Sequence, residues 1–261
     1  MTSLNILITG ASSGIGEALA THYAQQGHTL FLSGRNPERL DRVTRTCCKL
    51  GSTCNGQVID VRDRKAMERW INNIQQANPL DLVIANAGIS GGTGGESGNR
   101  DFGLDIEIFD TNLNGVLNTI HPALPTMIQA QKGQIAIISS IASLVPLPGA
   151  PAYSASKAAV RFYGEALAAK LKSSGISVSV ICPGFIQSRM TQGNDFPMPF
   201  IISASRAAQI ISRGIECRKI RIDFPLPMVV AMKLVNLIPS AFRRDIFSQL
   251  PEKHSHKKPL P

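Results

Sequence analysis

The chain reads as an α/β protein: a doubly wound parallel β-sheet with helices on both faces, in a single domain. Three observations predict this. Short apolar runs bounded by glycine or polar residues recur at Leu4 to Ile8, Thr29 to Leu32, Gln57 to Ile59, Leu82 to Ala85, Ile135 to Ile138 and Ile176 to Ile181. Longer segments with helical spacing lie between most of them, which is the alternation of a sheet built from βαβ units. The 261 residues contain no linker, repeat or break in composition, and α/β folds commonly reach this size as one unit.

Charge and cysteine content narrow the setting. Lys and Arg number 27 against 18 Asp and Glu, a net charge of +9, which favours anionic ligands or surfaces. Nucleotide phosphate, an acyl-carrier partner, nucleic acid and an anionic membrane all satisfy that preference. The basic residues are dispersed and no aromatic stacking platform accompanies them, so nucleic acid is not the expected partner. Cys47, Cys48, Cys54, Cys182 and Cys217 have no metal-ligand spacing and cannot all pair, which predicts reduced thiols and a cytoplasmic protein without a metal. No basic segment followed by an apolar one opens the chain.

The first strand runs into Thr9-Gly10-Ala11-Ser12-Ser13-Gly14-Ile15-Gly16, and a helix from Glu17 to Gln26 follows, closed by Gly27. Glycines at a strand-to-helix turn let the backbone approach a pyrophosphate, and the helix start offers free N–H groups and a positive dipole end. The spacing is Gly-xxx-Gly-x-Gly rather than the commoner Gly-x-Gly-xx-Gly. The second strand ends Leu32-Ser33-Gly34-Arg35-Asn36, without the acid that would hold a ribose 2′-hydroxyl. Arg35 suits a 2′-phosphate instead, so NADP(H) is favoured over NAD(H). The next helix, Pro37 to Lys49, carries Glu38, Arg39, Asp41, Arg42 and Arg45 and reads as a solvated face.

Later strands end in further polar or small residues at what should be the same edge. Asp60, before Val61, is placed either to accept from an adenine amino group or to cap the helix from Asp63 onward. Asn86-Ala87-Gly88 would let the chain pass close to a ribose, and Ser90 to Gly98 should form a mobile flap at the ligand rim. Leu104 to Gln131 reads as one long helix, kinked in its far half by Pro122 and Pro125. Asn112 inside it competes for backbone hydrogen bonds and so wants a reason. Strand five ends at Ser139-Ser140, and strand six at Pro183-Gly184-Phe185-Ile186-Gln187-Ser188.

Tyr153 and Lys157 stand four apart at the start of a helical segment, on one face and one turn apart. Most such pairs are solvated surface. A phenol titrates near ~10, however, and a tyrosine exchanging a proton near neutrality needs a cation beside it. Lys157 is placed to supply one.

Together the Thr-Gly-xxx-Gly-Ile-Gly turn, Asp60-Val61, Asn86-Ala87-Gly88, Asn112-xx-Gly115, Ser140, Tyr153-xxx-Lys157 and Pro183-Gly184 resemble the short-chain dehydrogenases/reductases, in order from Leu4 to Ser188. The resemblance implies a Rossmann-like fold and a catalytic tetrad of Asn112, Ser140, Tyr153 and Lys157, with Ser139 a rival for the serine. It assigns cofactor contacts to the turn (Gly10, Ser12, Ser13, Gly14, Ile15, Gly16), to Asp60, and to the Ile186 backbone and Ser188 for the nicotinamide carboxamide. It also implies a small-molecule carbonyl or secondary alcohol as substrate. The other reading is a dinucleotide-sensing regulator without chemistry, which would have no need of all four tetrad residues.

The family resemblance weakens after Ser188. A catalytic part, residues 1–225, would be followed by 226–261 as a cap or amphipathic segment with a basic end. Many relatives close with a strand and a Gly-Gly turn that build a tetramer, whereas this chain continues Arg221-Ile222-Asp223-Phe224-Pro225. A homodimer through Leu104 to Gln131 and Tyr153 to Ser173 is expected instead. Leu226 to Ile238 is apolar but holds Lys233 and Asn236 and falls short of the ~20 residues of a membrane span. It should cap the substrate pocket or, helped by Arg243 and Arg244, touch a membrane surface peripherally.

Overall fold

The computed structural model describes residues 3–91, 102–192, 194, 196–239 and 242. Among them, β1 (Asn5–Ile8), β2 (Thr29–Gly34), β3 (Cys54–Val58), β4 (Leu82–Ala85), β5 (Gly133–Ile138) and β6 (Ile176–Pro183) are the strands the alternation predicts. After the short β7 (Ile186–Gln187) and β8 (Ile202–Ser203), which pair only with each other, comes β9 (Arg221–Phe224). β9 completes a seven-stranded sheet ordered β3-β2-β1-β4-β5-β6-β9, with every neighbouring pair parallel. The order reverses between β1 and β4, and ligands bind at the strand ends beside such a switch point.

Pleating puts alternate side chains on opposite faces, so the sheet builds two cores. Ile6 and Ile8 pack on one side with Leu30, Leu32 and Ile84 beneath α1 (Gly14–Ala24), α2 (Pro37–Lys49) and α9 (Ala204–Glu216). Leu7 points the other way and joins Val83, Ile135 and Ile137 under α3 (Arg64–Ala77), α5 (Gly115–Ile120) and α7 (Pro151–Leu171). Each fully buried Leu or Ile contributes about 1.5–3 kcal/mol over its exposed state.

Several elements differ from the sequence-based expectation. Strand three lies at Cys54–Val58 rather than Gln57 to Ile59, because it is an edge strand whose residues are mostly exposed and so lack an apolar run. Arg221–Phe224 is a strand: Ile222 and Phe224 alternate into the core while Arg221 and Asp223 form an ion pair at 2.7 Å. The segment read as one helix from Leu104 to Gln131 is broken into pieces. α4 (Phe102–Phe109) passes into a wide π-helical turn at Asp110–Asn114, then α5, a tight 3₁₀ turn at His121–Ala123 around Pro122, and α6 (Leu124–Ala130) with Pro125 in its first turn. α8 (Arg189–Gln192) follows β7, and α10 (Leu226–Asn236) follows β9.

Candidate active site

A cavity of about 590 Å³ opens at the carboxyl ends of the strands. Every cofactor and catalytic position expected from sequence lines it except Gly16 and Asn112, which stand just behind the wall. At one end is the β1–α1 turn. Gly10 adopts φ +65, and a Cβ there would lie 2.8 Å from the Ala87 Cα, so this turn needs glycine for both conformation and space. Gly16 backs directly onto the Gly10 carbonyl. The Asn86 side chain ties strand β4 to the turn, its Nδ2 donating to the carbonyls of Thr9 (2.9 Å) and Gly10 (3.1 Å). Ser13 caps α1 in an extended conformation without a side-chain bond, leaving the first N–H groups to the cavity.

Three guanidinium groups, Arg35, Arg39 and Arg189, share the same end of the cavity. Arg35 is half exposed and reaches Glu107 at 3.3 Å. Arg39 was expected on a solvated helix face, yet its Nε is buried with no hydrogen-bond partner. Burial, and then repulsion from Arg189, lowers its pKa from the ordinary arginine value. A half-buried guanidinium whose Nε has no partner, beside two others, is suited to an anion.

Asp60 does not cap α3. Asp63 does, accepting from the Ala66 N–H at 3.0 Å. Arg62 instead clamps Asp60, with Nη2 at 2.6 Å from Oδ2. Burial pushes the Asp60 carboxyl upward, but the Arg62 hydrogen bonds outweigh it and hold the group below its usual range.

At the other end α7 presents Tyr153 and Lys157. Lys157 is buried, donates to the Ile138 carbonyl at 2.9 Å and stands 5.9 Å from the Tyr153 ring centre. Burial drives its pKa down to about 8. Burial likewise raises Tyr153 above the ordinary phenol value, opposed by interaction with the Ser140 hydroxyl. The expected lowering of Tyr153 by Lys157 is therefore not met in this structure. Desolvation dominates the phenol, and the ammonium is committed to a carbonyl.

The two serines separate cleanly. Ser139 Oγ is buried and donates to the Lys157 carbonyl at 2.8 Å, whereas Ser140 Oγ accepts from the Ala142 N–H at 3.1 Å. Ser140 Oγ also donates to the Pro183 carbonyl at 3.5 Å, the long limit of a hydrogen bond, and lies within reach of the Tyr153 hydroxyl at the cavity wall. Asn112, in the π-helical turn, has its side chain bonded to both the N–H (2.8 Å) and the C=O (2.9 Å) of Ile89 and to Ser156. A Cβ on Gly88 would lie 3.1 Å from Asn112 Oδ1 and 3.2 Å from Lys157 Nζ, so that glycine lets the two polar groups approach.

Thr191 is a cavity residue that sequence reading missed: its hydroxyl donates to the Ile186 carbonyl at 2.7 Å and accepts from the Ser188 N–H at 3.0 Å. It pins the loop carrying both residues expected at the carboxamide. Much of the remaining wall is apolar, including Leu147, Phe185, Phe196, Met228 and Met232, with Thr111 and Asn194 among its polar members. Met228 and Met232 come from α10, so that helix covers the pocket. The expected flap is described only at Ser90, which lines the cavity, and Gly91; the rest lies outside the described residues.

A switch-point cavity with a glycine turn at one end and a Tyr–Lys pair at the other defines a dinucleotide-dependent oxidoreductase. The family model for short chain dehydrogenase matches residues 4–196. An uncharacterized oxidoreductase of Myxococcus xanthus (strain DK1622) is 34% identical over 92% of this chain and 94% of its own. The 11-beta-hydroxysteroid dehydrogenase-like 2 of Arabidopsis thaliana is 37% identical over 82% of this chain and 71% of its own. A variant of actinorhodin polyketide ketoreductase, solved with NADPH, superposes with a TM-score of 0.76 at 25% identity, covering 85% of this chain and 94% of its own. The chain belongs to the short-chain dehydrogenases and is an oxidoreductase of that family, whose members use a nicotinamide cofactor.

Proposed function

We propose that the enzyme is NADP(H)-dependent and interconverts a carbonyl and a secondary alcohol on an apolar small molecule. The observation that carries this reading is the wall formed by Ser140, Tyr153 and Lys157 within one cavity that also holds the glycine turn. The Ser140 hydroxyl would orient the substrate oxygen and Tyr153 would give or take its proton. Lys157 would hold the cofactor ribose, and Asn112, fixed by Ile89, would keep the Lys157 surroundings polar. The nicotinamide, when bound, supplies or accepts the hydride.

Preference for NADP(H) is supported by the missing acid after β2 and by the unpartnered Arg39 beside Arg35 and Arg189. An apolar substrate is supported by the Phe185, Phe196, Met228 and Met232 wall. The assembly in this reading is a homodimer.

Replacing Tyr153 by Phe retains the ring and deletes the hydroxyl. Turnover on a ketone substrate should fall by ~10² or more while NADPH affinity is kept. Near-wild-type turnover, with chemistry rate-limiting, would overturn the assignment of Tyr153.

A further inference from the structure

α10 is apolar on both of its faces, and only one is accounted for by the fold. Met228 and Met232 face the cavity and Val229 is buried. On the outside, Leu226 is 70% exposed, Val230 52%, Leu234 58% and Leu237 80%. At 3.6 residues per turn these four fall within an arc of about 80°, so they form one continuous stripe rather than scattered exposure. Phe242, also exposed, comes shortly after it. Isolated exposed apolar residues need no explanation, but a stripe about three turns long does.

Charge decides between the candidate occupants. Lys233 is exposed on the same helix, and from residue 226 onward the sequence holds Lys233, Arg243, Arg244, Lys253, Lys257 and Lys258 against only Asp245 and Glu252. A two-fold contact between copies would set Lys233 and the following basic residues of one chain against those of the other. An anionic lipid surface presents the opposite sign and accepts the apolar stripe between its headgroups. We propose that α10 docks on an anionic bilayer through Leu226, Val230, Leu234 and Leu237. The inner face, with Met228 and Met232, stays free to line the cavity.

The test is flotation of the full chain with phosphatidylcholine vesicles containing about 30 mol % phosphatidylglycerol, against vesicles of phosphatidylcholine alone. The wild type should float with the anionic vesicles, and added salt should release it. The variant Leu226→Ser/Val230→Ser/Leu234→Ser should lose at least ~10-fold in partition while its urea midpoint, read on Trp70 fluorescence, is unchanged. Lys233→Glu, a single exposed change, should also weaken partition and guards against misfolding of the triple variant. Failure of the wild type to float, equal binding to neutral vesicles, or undiminished partition of both variants would overturn the proposal. If light scattering then shows the triple variant splitting an oligomer, the stripe joins copies of this chain instead. Vesicle binding is measured without substrate, so its failure leaves the proposed chemistry untouched.

Discussion

Ser139 and Ser140 are adjacent in sequence and opposite in use. Ser139 donates to the Lys157 carbonyl inside the wall, and Ser140 presents its hydroxyl at the cavity beside Tyr153. Ser139→Ala should therefore cost about 1 kcal/mol of stability with turnover largely kept. Ser140→Ala should instead lower turnover by ~10², as loss of an oriented donor does, at a similar cost in stability because its Oγ accepts from the Ala142 N–H; steady-state rates on the two variants would separate the roles. Lys157 carries a pH signature. Its pKa in the folded protein is depressed to about 8 by burial, so the unfolded chain binds that proton more tightly. The buried ammonium thus costs stability in full below about pH 8, and the cost is relieved as pH rises toward the unfolded value near ~10.4. Its full size is about 3 kcal/mol. Lys157→Met removes that cost, so its stability relative to wild type should be highest near neutrality and fall between about pH 7 and about pH 10. A pH-independent difference in urea midpoints would contradict the burial of a charged lysine.

Elements hold these residues through close contacts that glycine permits. Gly164 lies mid-way along α7, and a Cβ there would stand 2.5 Å from Val180 Cγ2 and 2.9 Å from Ile137 Cδ1, both on fully buried side chains of the sheet. Gly164→Ala gains up to about 1 kcal/mol of helix propensity but overpacks this contact at about 1–3 kcal/mol. A net loss of stability is expected, with turnover reduced because α7 carries Tyr153 and Lys157. At the N-terminal turn of α2, Arg39→Ala should raise the Kd for NADPH by ~10-fold or more and leave that for NADH nearly unchanged, since charged hydrogen bonds contribute ~1.5–3 kcal/mol. Equal effects on both cofactors would remove Arg39 from the 2′-phosphate. The strands with apolar runs and the turn between β1 and α1 were legible in the sequence because burial on both faces, and glycine at a tight turn, leave local marks. Arg39 left none: it stands beside Arg189, which comes some 150 positions later in the sequence. The alternation Arg221, Ile222, Asp223, Phe224 is a strand signal, but four residues are too few to stand out. Asn112 was conspicuous as a polar interruption, and its reason is the π-helical turn that delivers it to Ile89.

In the homodimer proposed above, the contact falls on α4 and α7. α4 and α7 pack side by side over the same face of the sheet and leave Phe102, Ile106 and Phe162 exposed. The Arg161 guanidinium lies 4.5 Å from the Phe162 ring centre, so the ring is oriented rather than free to fold back. A contact formed by the same two helices of each copy is isologous, and it buries apolar side chains that the monomer leaves in water. This surface lies on a different helix pair from the α10 stripe, so dimer formation and lipid docking should respond to different substitutions. Phe162→Glu would place a carboxylate in the centre of the contact on both sides, where like charges must be desolvated together. The wild type should scatter light as a dimer at micromolar concentration and Phe162→Glu as a monomer, with vesicle flotation unaffected. A wild type that scatters as a monomer, or a Phe162→Glu protein that stays dimeric, would place the interface elsewhere.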